Sequence, residues 1–253
     1  MAHPARLNAL TASPPEPLTA LSGGEDSRRS FLRMVSHELR TPLNSIIGFA
    51  EILNHELCGP LGSPQYKEYA GLIGSSGHRL LKLVNQILEI VRLEGGAEDL
   101  DIAPESVEAM AREVFAQMHD EAKAAGVRLA VEAPESLPDV MCDARAMRTV
   151  LSNLLHNAVR HAPTGSIVTV GARLFGGDVS VHVRDQGPGV EQQDLDRILR
   201  PFEQGGQTLT RHSEGAGLGL PIARLLCLAM KGGLELRSPP GEGLTALVTL
   251  PAA

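Results

Sequence analysis

The most regular hydrophobic pattern in the chain runs from Phe31 to Leu57. There Leu32, Val35, Leu39, Leu43, Ile46, Ala50, Leu53 and Leu57 recur at intervals of three and four. This spacing predicts one long helix carrying a coiled-coil-like apolar stripe. A second stripe, Tyr69, Leu72, Ile73, Ser76, Leu80, Leu83, Ile87 and Ile90, predicts a second helix ending near Glu94. The intervening CGPLGSPQ is a glycine and proline cluster that must turn the chain, so the two helices form a hairpin. Two helices cannot enclose a core. Dimerisation into a four-helix bundle is the simplest arrangement that buries both stripes.

Beyond Gly95-Gly96 the period changes. Val107 to Ala125 reads as helical, Val127 to Val131 alternates like a strand, and Asp143 can cap a helix running through Arg160. Val168, Val170, Ala172 and Leu174 alternate, as do Val179, Val181 and Val183, with GlyGlyAsp at the turn of the hairpin between them. A helix near Glu191 to Leu199, a polar loop with glycines, a helix near Leu218 to Met230 and two closing strands complete an α/β sandwich. The strands lack regular βαβ units, which disfavours a Rossmann fold. The expected organisation is a tail or linker over residues 1–25, a hairpin domain over 26–95 and an α/β domain over 100–253, an α+β multidomain chain.

Composition narrows the function. Hydrophobic residues make up 43% of the 253 residues and aromatics only 3%, so the cores must be aliphatic. The net charge of −7, with no basic cluster, argues against nucleic acid as a partner. Cys58, Cys142 and Cys227 have no metal spacing and an odd count, which suits reduced core thiols in the cytosol. No apolar run approaches the roughly 20 residues needed to span a bilayer, and no signal segment is evident, so the chain is expected to be soluble and cytoplasmic.

His37 lies two residues from both Val35 and Leu39, almost opposite the stripe at about 100° per residue, and is expected to face solvent with Arg33, Arg40, Thr41 and Asn44. Pro42 removes the N–H that would bond the Glu38 carbonyl, predicting a bend just beyond the histidine. On those grounds alone it is either a solvated surface histidine or a reactive one. In the helix after Asp143, Asn153, Asn157 and Arg160 align away from the apolar face, and the two asparagines are either surface amides or oxygen ligands of the type magnesium takes together with phosphate. Asp185-Gln-Gly187-Pro-Gly189 follows a strand, and Gly215-Ala-Gly217-Leu-Gly219 opens a helix, whose bare N–H groups suit phosphate. No Walker A, HExxH or paired CxxC pattern occurs.

The stretch SHELRTPLNSIIGFAEIL resembles the H-box of sensor histidine kinases. The later segments resemble, in order, the N, G1, F and G2 boxes of that family's ATP-binding domain, of the GHKL (Bergerat) type shared with gyrase and the ninety-kilodalton heat-shock chaperone. The resemblance covers about residues 27 to 250, and GPLGSPQYKEYAGLI is also similar to alphaproteobacterial cell-cycle kinases. It implies that His37 is the phosphoacceptor, that Glu38 assists proton transfer, and that Thr41 helps dephosphorylate the partner. By the same resemblance Asn157 binds Mg2+, Asn153 supports it, Arg160 approaches phosphate and Asp185 reads the adenine amine. Gly187, Gly189, Gly215, Gly217 and Gly219 then shape the pocket, Pro201-Phe202-Glu-Gln is the F-box, and Glu203 to Glu214 forms the lid over ATP. The pattern departs from the family at His161 (usually Tyr or Phe), Ala216 (usually Thr) and Lys231 (commonly His).

The implied activity is ATP- and Mg2+-dependent autophosphorylation of His37 in a homodimer, with transfer to an aspartate of a response-regulator receiver domain. The alternatives are a phosphotransfer or scaffold dimer with a vestigial ATP domain, and a chaperone-like or mismatch-repair ATPase. Intact Asn157 and Asp185 speak against the first, and the hairpin bearing His37 against the second.

Overall fold

The computed structural model describes residues 39–94, 100–133, 137–203 and 217–253. The tail over 1–25, His37, Glu38, Gly215, Ala216 and the lid residues 204–216 lie outside them.

The first helix, α1, is described over residues 39–54 and gives way to a turn over 55–58, so it stops short of the expected Leu57. Glu56 there takes φ 55°, a left-handed backbone that ends the helix. The second helix, α2 (Pro64–Glu94), runs back beside it. The buried contact between them is narrower than the stripes predict. Leu43, Ile47 and Ala50 are buried on α1, facing Ala70, Gly74 and Gly77 of α2. A Cβ on Gly77 would stand 2.7 Å from Ile47 Cγ1, so only glycine lets the helices approach this closely. Leu39, Ile46, Leu53 and Leu57, with Tyr69, Leu72, Ile73, Leu80 and Ile87, are exposed instead. Leu43 and Ala50 of the first stripe and Ile90 of the second are thus buried within the chain, and most of the remaining stripe residues form an outward apolar face of the hairpin.

The C-terminal part of α2 packs on helix α7 (Gly219–Ala229), and its Ile90 and Leu93 join the core of the α/β unit. That unit has a helix layer over one mixed sheet. Five strands, β2 (Arg128–Val131), β4 (Ile167–Phe175), β5 (Asp178–Arg184), β6 (Gly233–Arg237) and β7 (Thr245–Pro251), lie in the order β2-β4-β5-β7-β6. Only the β2–β4 pair is parallel. The β4–β5 hairpin turns on Gly176 and Gly177, both at positive φ, as a tight two-residue turn requires. Alternation puts Val168, Val170, Val179, Val181, Val183, Ala246, Val248 and Leu250 on the covered face. Leu174 follows the alternation but lies at the exposed hairpin tip.

Helices α3 (Val107–Gln117), α5 (Ala144–His161) and α7 cover that face. The predicted helix from Val107 to Ala125 is broken at Met118, giving α3 and α4 (His119–Ala125), which ends on left-handed Gly126. The predicted helix near Glu191 is a single turn, α6 (Gln192–Leu195). A separate ladder of β1 (Ala103–Ser106) with β3 (Asp139–Cys142) was not expected from the sequence. Among the described residues no helix is long and apolar enough to cross a membrane. The cysteines are free. Burial pushes the Cys142 and Cys227 thiols up to about 12, whereas Cys58 is exposed, contrary to its expected place in a core.

Candidate functional site

Helix α5 is the backbone of the site. Asp143 caps it, Oδ1 accepting from the N–H groups of Arg145 and Ala146 at 2.9 Å, while Oδ2 accepts from Asp101 N at 2.9 Å. Burial pushes this carboxyl up, but the three backbone donors and Arg145 outweigh it and hold Asp143 below the ordinary carboxylate range. Met147, Val150, Leu151, Leu154, Leu155 and Ala158 bury one face of the helix. That packing turns half-buried Asn153 and Asn157 to the other side. Neither amide side chain makes a hydrogen bond among the described residues, so the oxygens remain available.

The N-terminus of α7 meets α5 at Asn153, where a Cβ on Gly219 would lie 3.2 Å from Asn153 Oδ1. The last turn of α5 meets the loop after β5, where a Cβ on Gly187 would lie 2.7 Å from the His161 carbonyl oxygen. The structure thus brings the N, G1 and G2 segments together around one helix. Arg160 is exposed at the end of α5. Desolvation of its ring and the adjacent Arg160 hold the His161 imidazole below its ordinary value, with Asp185 pulling the other way.

Asp185 is 3% exposed, one of two buried acidic residues among those described. Its Oδ1 accepts from Gly187 N at 2.8 Å and Leu244 N at 3.1 Å, and its own N–H donates to Leu244 O at 3.0 Å. Oδ2 makes no hydrogen bond among the described residues, which leaves an acceptor fixed in direction for a ligand amine. Gly243 was missed in the sequence, yet a Cβ there would stand 2.3 Å from the Asp185 carbonyl oxygen, at φ 78°. The GEGLT run before an alternating strand is the signal that could have found it.

At the lid, Phe202 N donates to Gly217 O at 3.2 Å, and Gly217 (φ 67°) would put a Cβ 2.8 Å from Glu203 O. Phe202 and Glu203 are thus held against Gly217. On the hairpin, Thr41 and Asn44 are exposed as expected, and Arg40 Nε donates to Asn85 Oδ1 of α2 at 2.7 Å.

These residues fit a purine nucleotide: a fixed carboxylate oxygen, glycines where side chains would intrude, and a helix N-terminus beside the unengaged Asn153 amide. For magnesium the fit is of a different kind. Among the described residues no group of three or more His, Cys, Asp or Glu side chains could hold a metal, and Asn157 offers one amide oxygen. That is the donor set of an ion completed by phosphate and water.

Two family models match the chain. "His Kinase A (phospho-acceptor) domain" matches residues 27–96, and "Histidine kinase-, DNA gyrase B-, and HSP90-like ATPase" matches residues 142–253. A phosphoacceptor hairpin followed by this ATPase fold defines the class, and the chain belongs to the sensor histidine kinases. Similar proteins include the "Non-motile and phage-resistance protein" of Caulobacter vibrioides, 41% identical over 229 residues, covering 89% of this chain and 27% of that protein. The "Cell-division control histidine kinase PdhS" of Brucella abortus is 35% identical over 235 residues, covering 89% and 23%. Among solved structures, full-length ShkA in complex with AMPPNP superposes with a TM-score of 0.75 at 32% identity, over 88% of this chain and 46% of ShkA. The chain spans about a quarter of the length of these two curated relatives.

Proposed function

We propose that this chain is a histidine-kinase catalytic core in which residues 26–95 form the phosphoacceptor and dimerisation domain and 100–253 the ATP-binding domain. It phosphorylates His37 from ATP and passes the phosphoryl group to an aspartate of a response-regulator receiver. The observation that carries this reading is the convergence of Asn153, Gly187, Gly219 and the fixed Asp185 carboxylate around α5. The AMPPNP complex of ShkA, a relative of similar fold, supports ATP as the nucleotide.

In this mechanism Asp185 Oδ2 accepts from the adenine amine, the glycine backbones admit the nucleotide, and Arg160 approaches its phosphates. Asn157 is the residue that would hold Mg2+, which supplies charge neutralisation at the phosphates, and Asn153 supports it. Neutral His37 attacks the γ-phosphorus, forming a P–N bond as the bond to the bridging oxygen of ADP breaks. The proton on the other imidazole nitrogen is stabilised by Glu38. Thr41, exposed on α1, orients water toward a docked receiver's phospho-aspartate. The outward apolar face of α1 and α2 is the surface a second copy would cover to complete a four-helix bundle. Free Cys142 and Cys227, with an exposed Cys58, support the cytoplasm as its compartment.

The test is incubation with γ-labelled ATP and Mg2+. The label is expected on His37, lost in acid, stable in base, and absent from His37→Gln. Label persisting in that variant would place the acceptor elsewhere.

A further inference from the structure

The β6–β7 loop, SPPGEG, lies outside the boxes considered above, yet its first residue touches both segments that hold Asp185. Ser238 is half-buried. Its Oγ accepts from Val190 N at 2.8 Å and donates to Gly243 O at 2.8 Å. Val190 ends the turn whose Gly187 N–H binds Asp185 Oδ1, and Gly243 precedes Leu244, whose N–H binds the same oxygen at 3.1 Å. The hydrogen bonds close a ring from Asp185 through Gly187, Val190, Ser238 and Leu244 back to Asp185. Gly189 fits this ring closely, because a Cβ there would stand 2.6 Å from Ser238 Oγ.

A half-buried serine that merely closed its loop would stop at the bond to Gly243 O, five residues on. Ser238 also takes the N–H of Val190, 48 residues away, and so ties its own loop to the turn on the other side of the carboxylate. Without the hydroxyl, Val190 N–H and Gly243 C=O lose their partner, and the two donors on Asp185 Oδ1 are no longer tied to each other. Oδ2 would then keep its chemistry and lose its fixed direction.

We propose that Ser238 is a positioning residue for base recognition: by joining the Gly187–Val190 turn to Gly243, it sets the direction of Asp185 Oδ2 and so the preference for a purine bearing an exocyclic amine. This deepens the nucleotide reading and rests on it.

The experiment compares binding of ATP and inosine triphosphate, which carries a carbonyl oxygen in place of that amine, to the full chain by calorimetry. Ser238→Ala is expected to weaken ATP binding about tenfold while leaving inosine triphosphate within about threefold, narrowing the ratio. Ser238→Thr, which keeps a hydroxyl, restores the ratio. In an Asp185→Asn background Ser238→Ala costs no further ATP affinity. Equal losses for both nucleotides, or none for either, overturn the proposal, because the serine would then be structural or idle. Should the alanine variant fail to fold, Ser238→Cys, of similar shape and weaker hydrogen bonding, is read by the same ratio. Asp185→Asn alone separates the two ideas. If it leaves the ratio unchanged, base reading by Asp185 is wrong. If it narrows the ratio and Ser238→Ala does not, only the role of Ser238 falls.

Discussion

Replacing Asp143 by alanine tests how the helix that carries Asn153 and Asn157 is held. The carboxylate accepts two N–H groups at the start of α5 and a third from Asp101. Losing the cap costs about 1 kcal/mol. Losing the charged bond to Asp101 costs about 1.5 kcal/mol more. At about 2–4 °C per kcal/mol for a unit of this size, the combined loss of about 2.5 kcal/mol lowers the melting temperature by about 5–10 °C. Asp143→Asn should fall between wild type and alanine. Its Oδ1 can still cap the helix, but its amide nitrogen would meet the Asp101 N–H donor to donor. The sign with pH follows from the depressed pKa. The unfolded carboxyl titrates near its ordinary value and the folded one below it, so the contribution is fully present above the unfolded pKa. It is lost as pH falls through the folded one. Urea unfolding of the three proteins at neutral pH and in acid measures this. An alanine variant within about 0.5 kcal/mol of wild type at neutral pH would refute the reasoning, as would a difference that grew on acidification.

Three further outcomes are expected. Asn157→Asp, which sets a negative charge toward the nucleotide phosphates, should abolish labelling from ATP while leaving the oligomeric state unchanged; normal labelling with full ATP affinity would remove Asn157 from magnesium binding. Thr41→Ala keeps a good helix former at an exposed position and should spare autophosphorylation while cutting receiver dephosphorylation by about 10²-fold; equal loss of both would make Thr41 structural. Ile46→Asp, at a position 49% exposed in the single chain, should give monomers by light scattering at micromolar concentration, and an unchanged dimer would mean that the outward face lies off the interface.

Much of the site is legible in the sequence because it consists of local signals. Asp143 followed by an apolar three-and-four period announces α5, and alternating valines about a Gly-Gly turn announce β4 and β5. The β1–β3 ladder escapes such reading, because four-residue strands such as APES carry no usable period and pair across intervening chain. The hairpin shows a different limit. Periodicity marks which side chains are apolar but not what covers them, and the buried contact is made by Ala70, Gly74 and Gly77, whose small size rather than hydrophobicity admits Ile47. Leu244 holds Asp185 through its backbone N–H and C=O while Gly243 allows the close approach, and a backbone contact leaves little mark on residue type.

The single parallel pairing in the sheet bears on how the protein comes to be folded. The β4–β5 hairpin closes over two residues and can form within microseconds. Strand β2, by contrast, can join β4 only after β3 and all of α5 have been accommodated between them, with Arg128 coming to rest beside Ile167. Such a non-local closure is slow relative to a hairpin. Helix α5 packs on β4 and β5, so a nascent chain halted before Ile167 holds the helix that carries Asn153 and Asn157 without the strands on which it is seated.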